Sequence, residues 1–124
     1  MTLAIDDSKT TRDLQERFSL DYPLLKLQFC KVTHGWQETL PEKEIIQEDI
    51  LLEEIRKNHQ QGTIEMKAWR KIGEIEREFQ MRFGLNVQIC YRSGGQWIQT
   101  GVSDSKTIKS LMQKSSSELN RVLL

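Results

Sequence analysis

Cys30 and His34 stand at the C-x-x-x-H spacing that resembles half of a zinc site. A structural zinc takes four ligands, and only His59, Cys90 and carboxylates remain to complete the set. The pair reads as a strand cysteine and a loop histidine, so no metal is expected. Thiol chemistry needs a basic partner and a depressed pKa; Cys90 has Arg92 on the same strand face but no histidine near it in sequence. Glu74, Glu76 and Glu78 lie on one helix with Arg70, Lys71 and Arg77 as partners, and read as its solvated face rather than as paired acids. The run R-S-G-G-Q has glycines that can approach a phosphate, but it opens no helix and contains neither G-x-G-x-x-G nor G-K-[ST]. The expectation is therefore no catalytic residue, no cofactor and no metal.

A different kind of site is written in Gly84 to Asp104, G-L-N-V-Q-I-C-Y-R-S-G-G-Q-W-I-Q-T-G-V-S-D. Taking Gly94 and Gly95 as a two-residue hairpin turn sets Tyr91 opposite Ile98, Ile89 opposite Thr100 and Val87 opposite Val102, which puts the apolar set on one side. A three-residue loop would scatter it. The other side pairs Arg92 with Trp97 and Cys90 with Gln99, and an arginine facing a tryptophan across two strands stacks on its ring. Such a pair can simply shield a wet sheet face. It can also anchor an interface, because Trp and Arg are the side chains that carry binding energy. The candidate binding residues are Arg92, Trp97, Gln99, Gln88, Lys26 and Gln28.

These residues need a scaffold, and 124 residues make a single domain, 1–124, able to bury one core. Hydrophobic residues at 37% and charged residues at 29% describe an ordinary folded domain. Lys plus Arg and Asp plus Glu number 18 each, so no net field draws nucleic acid, a membrane surface or an acidic substrate. A sheet face bearing Trp97, Tyr91 or Lys26 could stack bases, but adjacent strand aromatics of the RNA-binding kind are missing, and nucleic acid is not the expected partner. The start, M-T-L-A-I-D-D-S-K-T-T-R-D, has no signal-like apolar run and no stretch approaches a membrane span, which points to the cytoplasm and to free thiols at Cys30 and Cys90.

Capped by Thr10 or Thr11, residues 11–20 read as a short helix with Leu14 and Phe18 on one face. Leu24 to Cys30 alternates as a strand, with Leu25, Leu27 and Phe29 on the core side. Residues 31–43 read as a connection, with room for a short strand at Trp36. Glu44 to His59 reads as a helix, and T-I-E-M-K as a brief strand. The clearest helix carries Trp69, Ile72, Ile75, Phe79 and Phe83 in its stripe and ends at Gly84; the last opens at Ser103, Asp104 or Ser105. Alternating strands and helices predict right-handed crossovers and parallel neighbours, hence an open face that a terminal helix or a second copy would cover.

The stretch from Ile72 to Ile108, with I-x-x-I-E-R-E-F, F-G-L-N-V-Q-I, R-S-G-G-Q-W-I-Q-T and S-D-S-K-T-I, resembles a family of small uncharacterised bacterial proteins. In that family the segment after the hairpin is richer in acid and tryptophan than Ser103 to Thr107. The resemblance implies a bacterial soluble domain and adds no catalytic residue. The expected fold is α/β (α+β), a two-layer sandwich in which a mixed sheet of about four strands carries helices mainly on one face. The expected function is a non-enzymatic binding or assembly module, with a protein partner or a homodimer on the hairpin face. The alternative is a small enzyme or ligand-binding protein whose pocket forms only in three dimensions.

Overall fold

Thr10 and Asp13 start the first helix by exchanging bonds: the Asp13 amide donates to Thr10 Oγ1 at 3.2 Å and the Thr10 amide donates to the Asp13 carboxylate at 2.9 Å. This reciprocal cap satisfies two amides that the first turn leaves without partners. Helix α1 (Thr11–Asp21) then buries Leu14 and Phe18, as their four-residue spacing requires. The computed structural model describes residues 1–32, 40–100 and 105–123, with side chains of the last stretch described as far as residue 117. The short strand expected at Trp36 lies outside the described residues.

The remaining elements are strands β1 (Thr2–Ile5), β2 (Leu25–Phe29), β3 (Gly62–Glu65), β4 (Val87–Ser93) and β5 (Gln96–Gln99), and helices α2 (Leu52–Ile55), α3 (Ile72–Phe83) and α4 (Ile108–Leu123). The class is α+β. In place of one mixed sheet, the described strands form two antiparallel sheets, β1–β3 and β2–β4–β5. The parallel neighbours inferred from element order do not occur in them. The reason lies in β1, a strand that the sequence reading left out: it takes β3 as its partner, and the hairpin then pairs only with β2. Leu3 and Ile5 of β1 join Leu25, Leu27, Ile64 and Ile89 in one buried cluster with the helices, so the two sheets share a core.

Helix α3 buries Ile72, Ile75, Phe79 and Phe83, and Gly84 ends it in the left-handed conformation at φ 63°. The Gly84 and Leu85 amides return to the carbonyls of Gln80 and Phe79 at 3.0 and 3.1 Å, closing the last turn. Trp69 is a correction to the expected stripe, since it precedes the helix and is 69% exposed. Its segment is used for capping instead. The Ile72 amide donates to Lys106 O at 2.9 Å, while the Ile108 and Lys109 amides donate to Arg70 O and Ala68 O at 3.2 and 2.8 Å. Helices α3 and α4 thus begin side by side and satisfy one another's first amides. Thr107 caps α4, accepting from the Ser110 amide at 3.1 Å; of the expected caps, Ser103 and Asp104 lie outside the described residues and Ser105 precedes the cap.

The helix expected from Glu44 to His59 is a second correction: the segment contains only the end of a 3-10 turn (Glu42–Glu44) and the single turn α2. Its backbone finds partners elsewhere. Ile46 donates to Phe29 O at 2.9 Å, Glu44 O accepts from the Lys31 amide at 2.8 Å, and Ile50 O accepts from the Thr11 amide at 2.9 Å. Three isoleucines, at 45, 46 and 50, suit this extended path better than a helix because their branched Cβ atoms crowd a helical turn.

The stability of this arrangement rests on the α3 stripe. Replacing Phe79, which is 0% exposed, with Ala is expected to cost about 3 to 5 kcal/mol in denaturant unfolding, from lost transfer energy and the cavity left behind. A loss under about 1 kcal/mol would show that the ring is not part of the core.

Candidate functional site

Both turn glycines hold positive φ, 55° at Gly94 and 79° at Gly95, a conformation that costs a side chain but not glycine. The two-residue turn sets the expected register, Tyr91 opposite Ile98, Arg92 opposite Trp97 and Cys90 opposite Gln99. Val102 lies outside the described residues. On the side away from the core, the Arg92 guanidinium carbon stands 5.5 Å from the centre of the Trp97 ring, and Lys26 Nζ stands 6.0 Å from it. Trp97 is half-buried and Arg92 exposed. Neither cation forms an ion pair with a described residue.

The other candidates do not extend this patch. Gln88 is 0% exposed and therefore no part of an open surface. Gln99 Nε2 donates to Leu40 O and its Oε1 accepts from the Leu40 amide, both at 2.7 Å, so its amide acts as a clasp for the chain. Gln28 is half-buried, and its Oε1 has no hydrogen-bond partner among the described residues. Leu40 and Ile45 lie against this face, tied to Gln99 and to Cys30. The surface left for contact is Trp97, Arg92 and Lys26.

Cys30 and Cys90 face the same way and are 5% and 0% exposed. Burial pushes each thiol up to about 12; the Glu76 carboxylate adds to the rise at both, and Lys26 partly offsets it at Cys90. Glu76 corrects the picture of a solvated acidic face. It is 6% exposed, and its Oε2 accepts from the Ile89 amide at 2.8 Å. At that point β5 has ended, so the ladder bonds of Ile89 pass to side chains: Thr100 Oγ1 donates to Ile89 O at 2.6 Å. Glu78 is also engaged, bonding Arg70 Nη1 at 2.7 Å and Arg82 Nη1 at 2.5 Å. Burial would raise its pKa, but the two guanidiniums outweigh that effect and the net shift is downward.

A polar cluster absent from the sequence reading joins Asp7, Arg56 and His59. The Arg56 side chain is fully buried; its Nε and Nη2 donate to Asp7 Oδ1 at 3.0 and 2.7 Å, and its Nη1 donates to Gln60 O and Phe83 O at 2.8 and 3.1 Å. His59 Nδ1 lies 2.7 Å from Asp7 Oδ2. Arg56 thereby binds the end of β1 to the C-terminus of α3, where a cation is favoured by exposed helix carbonyls. Nothing in sequence spacing announces this, because Asp7 and His59 are 52 residues apart. A shallow cleft of about 480 Å³ adjoins it, lined by Glu54, Ile55, Arg56, Lys57, Asn58 and Gly84, but not by His59. His34, the other half of the C-x-x-x-H pair, lies outside the described residues, among which no group of three or more metal-ligating side chains gathers. No described helix is long and apolar enough to cross a membrane.

Two outcomes follow from this geometry. With both thiols buried and raised to about 12, Cys30 and Cys90 should resist a disulfide-exchange reagent at pH 8 until denaturant is added; rapid native labelling of either would contradict their burial. Asp7 is held below the usual carboxylate range, first by its bonds from Arg56 and then by His59, which together outweigh burial. Its contribution is therefore complete above the unfolded carboxylate value of about 3.9 and is lost as pH falls through the lower folded value. Stability curves of wild type and Asp7→Asn should draw together as pH falls below about 4 and stand fully apart above it; a gap that does not change with pH would reject the ion pair. Comparison with known proteins returns no matching family, no matching curated protein and no matching solved structure.

Proposed function

We propose that this chain is a non-enzymatic binding module that engages a protein partner through Trp97, Arg92 and Lys26. The observation that carries the reading is the stack itself: one half-buried indole flanked by two cations, at 5.5 and 6.0 Å, neither ion-paired with a described residue. A tryptophan so placed offers a large rigid contact at little cost in conformational freedom, and the arginine beside it brings directional donors. The proposal places the chain with the small bacterial proteins that Ile72 to Ile108 resembles, in a cytoplasmic setting that keeps Cys30 and Cys90 reduced.

The alternative, a small enzyme or ligand-binding protein, draws on the Asp7–His59 contact of 2.7 Å beside the cleft at Gly84. A carboxylate that orients a histidine is half of a proton-transfer device. His59 does not line the cleft, and Arg56, which does, already has its donors taken by Asp7, Gln60 and Phe83. The binding reading is therefore preferred.

Replacing Trp97 with Ala should leave the fold intact, with a stability loss under about 2 kcal/mol, because two cation–π contacts at a wet site are worth about 0.5 to 1 kcal/mol each. The same change should remove partner capture from a native extract, or self-association in sedimentation if the partner is a second copy. Capture and self-association both unchanged in a folded Trp97→Ala protein would end this reading.

A further inference from the structure

Two of the four outer sheet edges are closed by side chains or by chain crossing them. In the three-stranded sheet, Arg92 donates to Leu24 O and Cys30 donates to Asn86 O, which fixes the even-numbered residues of β4 toward β2 and its odd-numbered residues toward β5. Leu25, Leu27 and Phe29 of β2 therefore turn their carbonyls outward. All three are taken: by Ser19 Oγ at 3.4 Å, by Gln15 Nε2 at 2.9 Å and by the Ile46 amide at 2.9 Å. In the two-stranded sheet, Met66 donates to Met1 O, so Thr63 and Glu65 of β3 face away from β1. Their carbonyls accept from Arg82 Nη1 at 3.0 Å and Arg70 Nη1 at 2.9 Å, the two guanidiniums that Glu78 holds. Such covering is how folded proteins keep an edge from pairing with another chain.

Among the described residues, strand β5 has no such cover. Its Gln96 and Ile98 pair with β4, and Trp97 and Gln99 point their amides and carbonyls outward, where no described residue bonds to them. The outward groups of β1, at Thr2 and Ala4, also have no bond from a described residue, but both residues are small and uncharged and bring no anchor. At β5 the open edge coincides with Trp97 and with the cations of Arg92 and Lys26.

We infer that β5 is a strand-addition site, and that its occupant is an extended acidic segment of a partner protein. This rests on the proposed binding role of Trp97 and specifies its partner. An added strand takes the outward amides and carbonyls of Trp97 and Gln99 into a new ladder. Its acidic side chains on the Trp97 face meet Arg92 and Lys26. Charge decides between the occupants: two copies meeting edge to edge would bring two Arg92–Lys26 pairs together, and like charges so placed oppose association.

The probe is an acetylated, amidated (Val-Glu)4 peptide titrated into the isotope-labelled full chain, with (Val-Lys)4 as its counterpart. The acidic peptide should slow hydrogen exchange of the Trp97 and Gln99 amides by about tenfold or more, as pairing protects edge amides. The basic one should not. Reversing both cations, Lys26→Glu with Arg92→Glu, should weaken the acidic peptide by at least about tenfold. N-methylation of the peptide at alternate residues, in one of the two phases, should abolish binding without any change to the protein. No protection at millimolar acidic peptide, or equal protection by the basic peptide, overturns the inference. If both N-methylated phases bind as well as the parent while charge reversal still weakens them, strand addition is wrong and side-chain binding at Trp97 stands. If none of these changes matters and Trp97→Ala also keeps its partner, both readings fail. Protection of the two amides that rises with protein concentration alone assigns the edge to a second copy and overturns the acidic-segment assignment.

Discussion

The backbone of β4 has to be satisfied on both sides, and that requirement organises most of this molecule. Strand β2 supplies one ladder and β5 the other, but β5 stops at Gln99 while β4 begins at Val87. At Ile89 the missing ladder is replaced by Glu76 from α3 and by Thr100. A carboxylate is thereby drawn to a position 6% exposed, next to two cysteines whose thiols it helps to hold protonated. An unpaired buried amide costs about 1 to 3 kcal/mol, enough to set where α3 must lie against the sheet.

The same economy recurs at the other edges. Side chains of α1 reach the carbonyls of β2, and the Glu78 fork delivers two guanidiniums to those of β3. Arg56 serves both Asp7 and the last carbonyl of α3, that of Phe83, from a fully buried side chain. A buried guanidinium is tolerated because its donors and its charge are both matched; removal of either partner would leave an uncompensated ion. These polar contacts bind helices to sheets at chosen points, while the apolar cluster supplies the bulk of the attraction without direction.

Against that background the Trp97 face differs in kind. Its aromatic ring and two cations are matched to one another and to no described carboxylate, and the adjacent strand edge carries outward groups to which no described residue bonds. The narrowing from six candidate residues to three follows from the burial of Gln88 and from Leu40, which takes up the Gln99 amide.

Local pattern carried the hairpin, the α1 cap, the α3 stripe and its Gly84 terminus, because each depends on residues within a few positions of one another: two glycines with positive φ, a threonine three before an aspartate, apolar residues every three or four. The register that sets Arg92 on Trp97 came from the same source, since a one-residue slip would have turned the apolar face outward. Long-range pairing decided the rest. Residues 45–51 are held out of a helix because Phe29 and Thr11 bond to them, Trp69 is out of the helix because its segment caps α4, and Glu76 is buried because β5 ends early. Asp7, Arg56 and His59 meet only when the first strand, a loop and the end of α3 are folded together, and no spacing rule reaches across those distances. Whether a sheet edge is open is likewise a property of what packs beside it: β2 and β5 are both outer strands, and only the tertiary structure places α1 and Ile46 against one and leaves the other without a described partner.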